Sequence, residues 1–415
     1  ETIDAFDLSI AHHIKSTDVG GNLHFETASL NDSHNITFWP GEPIQQKVTD
    51  QQDASSYDLF SVNAFSETWI NPKLFFSSGF LYSHFNSDFS GSRIYGNGFD
   101  VPYAPNPLQT GIGYTNMYGS LCQNDYVMNL NLMVKLAKDL TLVPSIRVQE
   151  IDWNADSAGW GTLSTFPSQS FTANSDRCVL DVTEGLNLRY TGVTNWVFYT
   201  RGLWTEGQGN LNENGGLSQV AGFGVPPVQF QTDDSRFLQK YAAGARWYPL
   251  RATTVDFGGY YKNHHYDYNF GQDNTPNNAG NPYTYPGYLR MQDLQTYDGN
   301  IRLTLRLPRN ISLTTRYEYQ YSTIDTEPDP VSGLGKTQSA NITSHIVALN
   351  ASWVPWSRLY LQPGFNYVWS ETTTPASDFV PTSPPLTGAP VLTAQNSYWT
   401  ADLTTGFVVD DRTDL

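Results

Sequence analysis

Residues 311–324 read ISLTTRYEYQYSTI. Every second position from Ile311 gives Ile311, Leu313, Thr315, Tyr317, Tyr319, Tyr321 and Thr323. The others are Ser312, Thr314, Arg316, Glu318, Gln320, Ser322 and Ile324. On a strand, neighbouring side chains point to opposite faces, so this segment has one apolar, aromatic face and one polar, charged face.

The same period of two recurs along the chain. Tyr126, Met128, Leu130, Leu132, Val134 and Leu136 alternate with more polar neighbours, as do Leu359, Leu361, Phe365, Tyr367 and Trp369. The pattern predicts strands at 4–14, 22–31, 57–69, 74–86, 125–136, 141–153, 178–190, 196–208, 237–248, 253–268, 293–307, 311–324, 343–354, 359–371 and 397–409. Most exceed the ordinary strand of about 5 or 6 residues and suit a tilted strand crossing a membrane.

The connections alternate as well. Short turns fall at 70–73, 136–140, 191–195, 248–252, 307–311, 354–358 and 409–413. Long polar loops fall at 87–124, 155–176, 211–235, 271–291 and 373–395. Short turns on one side and long loops on the other are the wiring of an outer-membrane barrel. The expected fold is therefore all-β: one large antiparallel transmembrane β-barrel domain over 1–415, with 16 or more strands. VDDRTDL at 409–415 reads as a turn into a sixteenth strand that continues past the last residue. A secreted β-sandwich or adhesin is the competing fold, and it predicts shorter strands without the turn asymmetry.

Composition agrees. The 415 residues hold 23 basic and 40 acidic side chains, a net charge of −17, yet only 15% are charged and 14% are aromatic. No run approaches the roughly 20 apolar residues of a spanning helix. So acidic a chain lacks the basic footprint of a nucleic-acid binder. In a barrel the Ile311 face meets outer-membrane lipid and lipopolysaccharide, and the Ser312 face meets the lumen. On 293–307, Tyr297, Ile301, Leu303, Leu305 and Leu307 face lipid. The lumen-lining candidates are Asp298, Arg302, Arg306, Arg316, Glu318, Arg246 and Lys240. An Arg at the lipid midplane would cost about 2–4 kcal/mol, whereas a lumen tolerates it. Alternating charges that are only solvated or paired would look the same. Trp69, Trp153, Trp196, Trp204, Trp247, Trp353, Trp356, Trp369 and Trp399 lie near strand ends, where an interfacial girdle sits.

Cys122 and Cys178 are two strands apart, roughly 10 Å at the usual strand spacing. That exceeds the ~7 Å Cα limit of a rigid disulfide, so a bond requires a loop to fold over. A loop-pinning disulfide is the expectation and two free thiols the alternative. The pairs His12–His13 and His264–His265 point to opposite faces and chelate no metal unaided. Loops 271–280 and 325–330 are Asp/Asn-rich and are calcium candidates, with turn formation as the simpler role. No Gly-x-Ser-x-Gly or His-Glu-x-x-His occurs, and no enzyme is expected.

FLQKYAAGARWYPLRATTVDFGGYYK (237–262) and SHIVALNASWVPWSRLYLQPGFNYVWSETTT (344–374) resemble the barrel subunits of porin–cytochrome electron conduits. That resemblance implies a sheath that binds no haem itself and encloses a multihaem cytochrome, passing electrons across the bacterial outer membrane. No Cys-x-x-Cys-His occurs, so haem would come only from a partner. The other functional reading is a diffusion porin, for which the net charge predicts cation preference.

Overall fold

Fifteen long strands follow one another in chain order, each antiparallel to the next. They are β1 (Thr2–Ile14), β2 (Thr17–Ile36), β3 (Lys47–Asn71), β4 (Leu74–Gly96), β5 (Ile112–Ala137), β6 (Leu140–Leu163), β7 (Phe166–Tyr190), β8 (Trp196–Leu217), β9 (Val228–Leu250), β10 (Thr253–Asp273), β11 (Leu289–Leu307), β12 (Ile311–Pro328), β13 (Thr337–Trp356), β14 (Leu359–Thr373) and β15 (Ala394–Asp410). A two-residue β16 (Thr413–Asp414) pairs with β15, where the sixteenth strand was expected. The computed structural model describes residues 2–36, 47–96, 112–163, 166–217, 228–273, 289–328, 336–356, 358–374, 393–410 and 413–414. Among these, no pairing joins β1 to β15 or β16, and β1 is exposed along its whole length. One sheet in strict neighbour order is an up-and-down barrel wall and rules out the sandwich.

The short turns lie side by side at one rim. Trp69 N donates to Ser16 O at 3.0 Å, Lys135 N to Lys73 O at 2.9 Å, and Tyr248 N to Asn195 O at 2.8 Å. Each bond ties a strand to the turn next to it. Lys15 sits in its turn at φ 59°, a left-handed conformation uncommon for a side-chain-bearing residue.

Register carries the alternation around the sheet. Tyr317 opposes Val347, which opposes Tyr367, which opposes Trp399. The polar face is the more enclosed: Thr296 is 4% and Glu318 5% exposed, against 49% for Tyr297 and 41% for Ile301. The polar face is therefore the inside of the curved sheet. Two aromatic girdles border the outer apolar band. Near the short turns, Trp196 and Trp247 stack at 5.5 Å. Higher up, Tyr82 packs on Tyr126 at 5.0 Å and Tyr261 on Tyr297 at 5.1 Å, while Trp204 Nε1 donates to Tyr241 at 2.8 Å. Trp204 lies eight residues beyond Trp196, about 27 Å along the strand at ~3.4 Å per residue. Strand tilt shortens that to about 20 Å, close to the usual apolar band of ~25 Å. Two of the expected girdle residues are elsewhere. Trp69 and Trp153 have the parity of the polar face; Trp69 packs there on Phe75 and under the Lys135 ammonium.

Strand ends at the short turns match the sequence reading within about five residues. At the long loops β10, β11, β12, β14 and β15 also match within about five residues, but β3–β9 run further: β5 begins at Ile112 rather than 125, and β7 at Phe166 rather than 178. The longest strand has 26 residues, against the ~9–11 that span a membrane. The wall rises well above the upper girdle.

Candidate functional site

All seven lumen-lining candidates lie on the enclosed face, on β9, β11 and β12. Arg246, Asp256, Arg302 and Arg316 form one row across β9–β12. Arg246 Nε donates to Asp256 Oδ1 at 2.5 Å, and Arg316 pairs with Glu318. Gln320 donates to Glu318 Oε1 and to Tyr260 Oη, both at 2.9 Å. Asn300 donates to Asp298 Oδ1 at 2.7 Å, and Lys240 Nζ stands 4.2 Å above the Tyr260 ring. Arg302 and Arg306 are exposed and make no ion pair among the described residues. Arg147 on β6, Arg189 on β7 and Arg201 on β8 share that face and that state. The half of the inner wall nearer the short turns thus presents five solvated guanidiniums.

Towards the long-loop end two inner arginines are paired. Arg236 Nε on β9 donates to Asp181 Oδ1 on β7 at 2.8 Å, reaching across β8. Gly207 makes the reach possible. It lies in register between the two residues, and a Cβ there would stand 2.2 Å from Asp181 Oδ1 and 2.4 Å from Arg236 Nε. Gly209 similarly leaves room for Asp234, whose carboxylate lies 3.6 Å from Arg177. Sequence reasoning missed these pairs. The signal was a glycine inside a strand, which marks close approach.

The cysteines depart from expectation. Both thiols are free. Each sits within a strand rather than in a loop, Cys122 opposite Asn154 and Cys178 opposite Asp152, with β6 between them. Paired backbone cannot fold over to close the gap. Cys178 lies on the outer face six residues beyond Glu184, which is opposite the upper-girdle Trp204, and so stands above the apolar band. Its hydrogen bond to Asp152, then burial, push its pKa up to about 11. Glu150, Asp152 and Cys178 bring ligand atoms within 4.8 Å of one another, but a protonated thiol is a poor ligand.

His264 and His265 do face opposite ways. His265, above the outer girdle, bonds Asp293 at 2.5 Å and Asp267 at 2.7 Å, and Lys336 also pairs with Asp293. Burial lowers the His265 pKa, but the two carboxylates outweigh it and the net shift is upward. Of the calcium candidates, residues 274–280 and 329–330 lie outside the described residues. Residues 325–328 continue β12.

No protein-family model and no curated protein matches the chain in sequence. Among solved structures it is similar to the siderophore receptor PiuA from Acinetobacter baumannii, with TM-score 0.58, 10% identity, and coverage of 99% of this chain and 68% of that one. It also aligns with the ferric yersiniabactin uptake receptor FyuA from Yersinia pestis, with TM-score 0.49, 9% identity, and coverage of 99% and 71%. At such identity the likeness to PiuA concerns the fold alone. The chain has the fold of a Gram-negative outer-membrane β-barrel.

Proposed function

We propose that this chain is the wall of a wide outer-membrane conduit that sheathes a guest in its lumen, a multihaem cytochrome being the guest that fits the sequence resemblance. The wall height carries the reading. A diffusion channel needs a wall only as tall as the membrane, whereas β3–β9 run to 22–26 residues, twice that length or more. A tall wall has a use when something along its height must be held or insulated. The five solvated arginines supply positive charge complementary to an acidic guest surface. The barrel provides enclosure and not chemistry; no catalytic group is assigned to it.

The test is the visible spectrum of the native protein extracted in mild detergent. A Soret band co-eluting with this chain is expected. A featureless spectrum, with co-purifying proteins identified and none carrying haem, would overturn the cytochrome guest. The second reading is an open diffusion channel, favoured by the same solvated arginines. Single-channel conductance of the untreated native protein would establish it.

A further inference from the structure

An apolar hollow interrupts the polar inner wall at the long-loop end of β4–β8. Its volume is about 720 Å³, within the size range of small-molecule sites. Its floor is made of small side chains: Ala155 and Ser157 on β6, with Ser175 and Ala173 opposite them on β7. Phe89, Leu121, Trp153 and Phe171 wall it. Two rings are seated on glycines. A Cβ on Gly119 would stand 2.7 Å from the Phe89 ring, and one on Gly159 would stand 2.9 Å from the Phe171 ring. Each ring takes the space that a Cβ would need. Glu213 closes the β8 side. It accepts a hydrogen bond from Ser175 Oγ at 3.3 Å and has no cationic partner among the described residues.

We infer that this hollow binds a small aromatic molecule carrying a positive charge, its rings against Phe89, Trp153 and Phe171 and its cationic group at Glu213. Aromatic rings offer faces for offset or edge contact with a flat guest and attract cations. The small floor leaves room for a ring system. Of the two lining carboxylates, Asp156 has the outer parity and accepts from Ser120 Oγ at 2.5 Å, so Glu213 sets the sign of the charge, since a buried ligand cation needs a partner. Neither the sheath nor the open channel requires such a site.

The test is equilibrium dialysis of the full chain in lipid nanodiscs, with empty nanodiscs as blank. Three probes share one ring system: 1-naphthylmethylamine, 1-naphthalenemethanol and 1-naphthoate. The amine is expected to bind saturably, and at least tenfold more tightly than the naphthoate. Glu213→Gln should weaken the amine about tenfold and leave the alcohol unchanged. Ala155→Trp, which fills the hollow, should abolish binding of both while the barrel's heat-modifiable gel shift persists. Binding that is linear, equal for all three probes, or indifferent to Ala155→Trp would overturn the proposal.

Discussion

Gly207 shows how one missing Cβ permits an ion pair. Asp181 and Arg236 belong to strands separated by β8, and they meet at 2.8 Å only because nothing projects between them. Gly207→Ala is expected to separate the pair and leave both charges poorly partnered, costing about 1–3 kcal/mol. Denaturant unfolding followed by circular dichroism reads the loss. An unchanged midpoint would show that the pair contributes nothing. Cys178 offers a second test at this scale. A thiol with a pKa near 11 is only about 0.1% thiolate at pH 8, so alkylation by iodoacetamide should be slow. Asp152→Asn should speed it by tenfold or more. The same reagent, after denaturation, should count two free thiols per chain; a count of zero would restore the disulfide.

At the scale of the strand, side-chain parity decides cost. Leu303 lies in the middle of the outer apolar face of β11, and Thr304 beside it points inward, bonding Thr314 at 3.3 Å. Leu303→Arg should destabilise the barrel by about 2–4 kcal/mol, while Thr304→Arg should cost well under half as much. Equal losses would mean that the two faces see the same medium. Parity also explains what was legible in the sequence. All fifteen strands could be placed because one face must be apolar where lipid touches it. The long-loop ends of β3–β9 were missed for the same reason. In 117–124, MYGSLCQN, and in 229–236, QFQTDDSR, the wall has left the bilayer and the outer face no longer needs to be apolar, so the period of two fades. The inner position of Arg302, Arg316 and Glu318 was readable from alternation. Their partners were not, because Gln320 reaching Tyr260 depends on the register of three strands. Trp69 and Trp153 were misplaced by counting nearness to a strand end and ignoring parity.

Across the whole molecule, the net −17 conceals a local surplus of positive charge on the inner wall. Carboxylates such as Asp293, Asp267, Asp152 and Asp176 lie on the upper, outer wall, whereas unpaired arginines face the lower lumen on β6–β8 and β11; Glu67 and Asp402 are inner carboxylates on other strands. The cation preference expected from net charge is therefore opposed locally. In bilayers holding the guest-free barrel, the triple substitution Arg201→Gln, Arg302→Gln, Arg306→Gln should shift the reversal potential towards cations. An unmoved potential would place these guanidiniums away from the conducting path.

One parity of each strand faces lipid and the other a watery lumen. This is tested most directly by single cysteines placed in turn at 311–324, in a Cys122→Ser, Cys178→Ser background, in the guest-free barrel held in lipid bilayers. Each is challenged with a membrane-impermeant maleimide and with a lipid-soluble one. Positions 312, 314, 316, 318 and 320 should take the water-soluble reagent, and 311, 313, 315, 317 and 319 only the lipid-soluble one. Labelling without alternation, or with the two sets exchanged, would contradict the barrel orientation on which the account rests.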